Sequence, residues 1–176
     1  MLIETVILAI VVSLIDGGRI GRLGWLDLRG LWLIPSAWAI QIVVYWAAVK
    51  GMGMGPEWVS PVLDTASYFL LLIFAGNNWY LPGMRILALG IFLNTLVIAV
   101  NGGMMPVDSF YLPEASRQAL LAGQGTHGLL TPATHLSLLA DRIFISIAGF
   151  IKQLISLGDI LIDAGSFLLI YKTMMR

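Results

Sequence analysis

The sequence contains no cysteine. That excludes disulfides, thiolate metal sites, iron–sulfur clusters and thiol nucleophiles, and leaves the redox compartment open. Charge is scarce as well: 11% of the residues are charged, against about 25% in a typical soluble domain. Ten basic and ten acidic side chains cancel, so no net charge recruits nucleic acid or an anionic surface. Histidine occurs only at His127 and His135, without the H-x-x-x-H or H-E-x-x-H spacing of a helical metal site. No Gly-x-Ser-x-Gly elbow supports a serine hydrolase.

What remains is apolar. Hydrophobic residues make up 59% of the 176 positions, more than one small aqueous core can hide. Lipid removes that difficulty. The apolar residues gather into five stretches, at 1–15, 31–49, 59–75, 84–100 and within 154–171, most of them ended by glycine or asparagine. The expected fold is therefore an all-α, polytopic helical membrane protein in one domain (1–176). It has about five transmembrane helices, with short external helices between the fourth and fifth. Fifteen residues at about 1.5 Å each reach only about 22 Å, so the first and fifth spans are short. The N-terminus lacks the basic region of a cleaved signal and is read as a retained first helix.

Arg19, Arg22 and Arg29 form the densest basic cluster, which places the first connection in the cytoplasm. The N-terminus then lies outside the membrane, and Lys172 and Arg176 lie inside. Arg117, Arg142 and Lys152 fall outside, against the rule. Trp58, Trp79 and Tyr80 suit interfacial positions. Within the external segment (101–151), Pro113-Glu114 opens a short helix that stops at Gly123. Thr131-Pro132 opens another that runs toward Asp141, with Thr131 as its N-cap. The stretch 143–151 is too short to cross alone. It re-enters, lies in the interface, or continues as one helix through Tyr171.

The expected polar site lies on the fifth span. Asp159 and Asp163 stand four residues apart and so on one face. Ser156, Ser166 and, if the helix begins early, Lys152 extend that face over an arc of about 80°. Two aspartates a turn apart repel, so one is expected to hold a proton near neutral pH. Their use is a proton- or cation-linked site, an anchor for a polar head group, or a clasp between helices. Asn94 and Asn101 share a face of the fourth span, and Gln41 and Tyr45 share one of the second; all could line the same cavity or simply bond helices together. The Asn101-Gly-Gly run reads as a helix stop, and the Gly17–Gly21 stretch lacks the lysine of a phosphate loop. His127, His135 and Asp141 are weaker external candidates, and metal ligation would need the loop to gather them.

The Gly-Gly-Arg-Ile-Gly-Arg-Leu stretch, NGGMMPV at 101–107 and SLGDILIDAG at 156–165 resemble an uncharacterised family of small bacterial membrane proteins, a domain of unknown function. The resemblance covers nearly the whole chain. It implies an inner-membrane helical bundle and carries no activity or catalytic residues. The favoured function is a non-enzymatic accessory, scaffold or lipid- or quinone-binding subunit of a membrane complex. A transporter using Asp159 and Asp163, and an enzyme acting on a lipid head group, are the alternatives. Membrane lipids and other membrane subunits are the expected partners, nucleic acid is not, and haem, quinone or pigment stays open as a cofactor.

Overall fold

The computed structural model describes residues 2–52, 54–56, 58–147 and 151–176. The protein is mostly helical. Helices form at all five apolar stretches: α1 (Leu2–Ile15), α2 (Leu33–Val49), α3 (Val59–Asn77), α4 (Met84–Val100) and, after a short α5 (Glu114–Leu121), α6 (Leu157–Met175). Of these, α3 is the one long and apolar enough by itself to cross a membrane, and α1, α2 and α4 are shorter apolar helices. α6 is as long as α3 but carries Asp159, Asp163 and Lys172.

The helices pack through an interior that is unusually polar for so apolar a chain. Ser13, Ser67, Asn78 and Ser156 are fully buried. Ile3, Ile15 and Trp38 are 71%, 78% and 60% exposed. Asn78 shows what the interior polar groups do. Its side-chain amide donates to the backbone carbonyls of Arg29 and Phe74, and its oxygen accepts from the Arg29 N–H, each at 2.8 Å. One residue thereby locks the loop before α2 onto the end of α3.

α4 and α6 run antiparallel in backbone contact. Gly83 and Gly90 face Gly165 and Gly158, seven residues apart on each side, so that backbone approaches backbone at both positions. Small residues at such spacing let helices approach closely.

The connection between α4 and α6 departs from the all-α expectation. Two small sheets form there: β1 (Met105–Val107) pairs in parallel with β2 (His127–Leu129), and β3 (Ile143–Ile147) pairs antiparallel with β4 (Ile151–Ile155). The stretch at 143–151 is thus neither a membrane re-entry helix nor an early start of α6; its positions 148–150 lie outside the described residues. Isoleucines at 143, 145, 147, 151 and 155 give it the two-residue period and β-branching of strands. Lys152 sits exposed on β4 rather than on the face of α6.

The helix expected from Thr131 does not form. Thr131 and Thr134 close a turn through the Thr131 N–H to Thr134 Oγ1 bond of 2.9 Å. Leu136, at φ +53°, then breaks the chain direction before a single 3-10 turn at Ser137–Leu139. α5, with Pro113 at its N-cap, matches its expectation. So does the stop at Asn101: Gly102 and Gly103 take positive φ, and the Gly103 N–H returns to the Ile98 carbonyl at 2.9 Å.

Candidate functional site

The site is assembled by β1. On one edge Met105 registers with His127, and on the other Val107 bridges to Asp141. The Asp141 N–H donates to the Pro106 carbonyl and the Asp108 N–H to the Asp141 carbonyl, both at 2.9 Å. Positions 105 and 107 point to the same face of a strand. Their parallel partners His127 and Asp141 therefore project together, and His127 Nε2 lies 3.7 Å from Asp141 Oδ2. That is ion-pair range but longer than a hydrogen bond. The MPV segment of the 101–107 run thus has a positioning task that its sequence did not disclose.

Asp141 is buried, and its Oδ1 has no hydrogen-bond partner among the described residues. Burial, with the nearby Asp159 carboxylate adding to it, pushes the Asp141 pKa up from 3.8 to about 7. His127 keeps about half of its side chain accessible. Desolvation by the surrounding protein nevertheless holds its pKa below the usual 6.5, and Asp159 opposes that shift. At neutral pH the imidazole is uncharged and the carboxyl is close to half-protonated, so the pair can exchange a proton with little change in net charge.

Asp159 closes a ring of hydrogen bonds rather than facing an open cavity. Its Oδ1 accepts from Asn94 Nδ2 at 2.8 Å and its Oδ2 from the Ser156 N–H at 3.0 Å. Ser156 Oγ donates to Asn94 Oδ1 at 2.9 Å and accepts from the Asp159 N–H at 3.0 Å. Ser156 is the N-cap of α6 and Asp159 its third residue, a reciprocal capping arrangement tied to α4 through Asn94. Asp163 belongs elsewhere. It is buried beside Thr5 of α1, with its Oδ2 unpartnered. The stripe that looked continuous on a helical wheel is divided between two neighbouring helices. Ser166 is buried on the same helix.

Asn101 does not join Asn94 in a cavity. Its side chain holds the backbone of His135, accepting from the His135 N–H at 2.9 Å and donating to its carbonyl at 3.0 Å. The His135 side chain is exposed and lines neither cavity beside His127. Among the described residues, no group of three His, Asp or Glu is placed to hold a metal ion.

His127 stands between two open depressions. One, of about 370 Å³, is lined by Val107, Leu120, Asp141 and Leu154. The other, of about 430 Å³, lies between α2 and α3 and is walled by Trp38, Ile42 and Tyr45. Its polar lining is Gln41, Asp64, Tyr68, Thr126 and His127. Gln41 Nε2 donates to the buried Ser67 Oγ at 2.9 Å. Asp64 is 4% exposed, and its carboxylate accepts no hydrogen bond and pairs with no cation among the described residues. Tyr68 lies within electrostatic reach of Asp64, Asp141 and Asp159. Asp64 and Tyr68 were not singled out above. The signal was present: an aspartate inside an apolar helix, followed four residues later by a tyrosine on the same face.

Comparison with known proteins returns a family of unknown function. The model described as Family of unknown function (DUF5317) matches residues 25–171. An uncharacterized protein of Thermotoga maritima is 27% identical over 168 residues, which span 96% of this chain and 89% of that one. No solved structure matches. With the family model covering most of its length, the chain belongs to DUF5317, a family of unknown function.

Proposed function

We propose that this chain is a five-span membrane protein that binds an amphipathic, lipid- or quinone-like molecule. The molecule's polar head sits in the cavity between α2, α3 and His127. The observation that carries this reading is Asp64, a buried residue whose carboxylate has no partner among the described residues, in a cavity that combines an apolar and aromatic wall of Trp38, Ile42 and Tyr45 with a few polar groups. Leaving such a group unpaired is costly, and a ligand head offering a donor offsets that cost. The cavity volume falls in the range of small-ligand sites. Trp38 and Ile42, both more than half exposed, extend the apolar wall outward to where a tail would lie.

The membrane part of the reading rests on the apolar outer face of the helices. α1, α2 and α4 present Ile7, Leu8, Val43, Trp46, Leu89 and Phe92 outward, while serine, asparagine and aspartate are buried among the apolar residues of the core. Lipid stabilises that arrangement and water does not. Arg22 Nη1 donates to the Met174 carbonyl at 2.8 Å, so the first connection and the end of α6 share one end, as alternating passes require. His127 and the connection after α4 occupy the other end. Single cysteines can test this in a chain that has none. Ser116→Cys should react with an impermeant maleimide on intact cells, and Asp27→Cys only after permeabilisation. Equal labelling of both would overturn the topology.

For the ligand, Asp64→Leu is the decisive variant. It removes an unpaired buried carboxylate, so thermal stability in mild detergent should hold or rise. Retention of co-purified lipid or quinone, read by native mass spectrometry, should fall at least about tenfold, the effect of losing one charge-assisted contact. A variant that retains its ligand, or that is strongly destabilised, counts against the site.

A second reading is favoured by the approach of Asp141 to His127, which lines both depressions. In it the His127–Asp141 pair moves a proton to or from the bound head group. The Asp159–Asp163 pair lends transport little support, because the two carboxylates serve different helix contacts.

A further inference from the structure

At the end of the bundle opposite His127, four arginines meet around a single open cavity of about 560 Å³. Arg19, Arg22, Arg29 and Arg176 line it together with Trp25 and Tyr80, and Asp27 is the one carboxylate in its wall. These residues come from three separate parts of the chain, and the first connection is tied to the other two. The Arg19 N–H and the Arg22 guanidinium both donate to the Met174 carbonyl, at 3.0 and 2.8 Å, which fastens the first connection beside Arg176. The Arg29 backbone is clamped on both sides by buried Asn78. Its guanidinium lies 5.0 Å from the centre of the Tyr80 ring, and the Tyr80 hydroxyl donates to the Asp27 carbonyl at 2.8 Å.

Among the described residues, none of the four guanidinium groups has a carboxylate within salt-bridge distance. Four cations gathered around one cavity repel one another unless an anion joins them. Arginine forks match the oxygens of a phosphate in geometry as well as charge. The connection adds a second property. Trp25 is 87% exposed, and Ile20 and Leu31 of the same connection are also exposed, which suits residues at the depth of lipid head groups.

We infer that this cavity binds an anionic phosphate group, the head of an acidic phospholipid or a free phosphate, and that the arginines do more than orient the chain. The inference is independent of the Asp64 cavity, which lies at the other end and takes a different ligand.

The test uses the full chain in a neutral detergent, titrated separately with short-chain phosphatidylglycerol, short-chain phosphatidylcholine and inorganic phosphate, with binding read calorimetrically. Phosphatidylglycerol is expected to bind at least about tenfold more tightly than phosphatidylcholine. Arg29→Gln and Arg176→Gln should each weaken it about fivefold, and Arg19→Gln, Arg29→Gln and Arg176→Gln together by on the order of a hundredfold. Arg22 is left in place because it also binds the backbone of α6. Saturable inorganic phosphate binding that the triple variant loses, without preference for phosphatidylglycerol, supports the site with free phosphate as its ligand. If the triple variant does not fold, Arg176→Gln alone decides, since its side chain makes no hydrogen bond among the described residues. Affinities for phosphatidylglycerol and phosphate that are unchanged in folded variants, or absent from the parent protein, overturn the inference.

Discussion

Gly90→Ala is expected to destabilise the protein by about 3 kcal/mol, the upper end for adding a methyl group to a packed interior. A Cβ at position 90 would stand 2.8 Å from the Ile162 nitrogen and 2.9 Å from its Cγ1, and would also strike the Gly158 carbonyl. These are mostly backbone atoms, so no rotamer change relieves the contact. The helices must part, and parting them strains the Asn94 bonds to Asp159 and Ser156 one turn away. Gly165→Ala should behave alike, because its Cβ would lie 2.5 Å from the Leu87 nitrogen and 2.7 Å from the Gly83 carbonyl. Gly76→Ala is the control. It sits in α3 with nothing within 4 Å of an added Cβ, and alanine's better helix propensity makes that change neutral or stabilising by up to about 1 kcal/mol. Unfolding of the three variants side by side in one detergent measures the difference. Equal stability of Gly90→Ala and Gly76→Ala would show that α4 and α6 are not in backbone contact.

The second large effect is a dependence of stability on pH that Asp141→Asn removes. The folded protein holds the Asp141 proton up to about pH 7, whereas in an unfolded chain the group ionises near 3.8. A raised folded pKa means that the native state binds more protons between those values. Its contribution is fully present below about pH 4 and is lost as pH rises to about 7. The slope is about 1.4 kcal/mol per pH unit, which over this window is on the order of 4 kcal/mol. Little solvent screening discounts it, since the carboxyl side chain is 9% accessible. His127 acts in the opposite sense. Its lowered pKa makes the folded state resist a proton that the unfolded chain accepts, so it lowers stability as pH falls through 6.5. Subtracting the Asp141→Asn curve from the parent curve leaves mainly the aspartate's share. Thermal midpoints from pH 4 to pH 8 provide both. A difference that stays flat would mean that Asp141 is solvated and that the His127 site is not the desolvated pocket described.

Both predictions concern contacts that join distant parts of the chain, and those were the least legible in advance. The helices themselves were readable. The apolar runs at 31–49 and 84–100 became α2 and α4 with boundaries shifted by two residues at most, because glycine and asparagine stops act locally. The hairpin at 143–155 was missed because apolar residues around a short interruption were weighed by length rather than by their two-residue period. The second external helix was lost to Leu136, whose positive φ no local propensity foretells. Asp64 was less legible because it is the single carboxylate of an apolar run, whereas α6 carries two a turn apart, and that pair is shared between α4 and α1.

Composition and local pattern alone determined that this chain is mostly helical, apolar on a scale suited to lipid, and basic in its first connection. Each of those properties depends on residues within one turn or one run of one another. Only the tertiary structure decided that Asp141 meets His127 across β1, that Asp159 bonds to Asn94 while Asp163 turns to α1, and that Arg176 joins Arg19. Those meetings depend on how far α6 slides along α4 and on which residues of a loop register with Met105 and Val107. Glycine contacts and backbone pairing set these offsets between segments far apart in the chain, and no periodicity within a single segment encodes them.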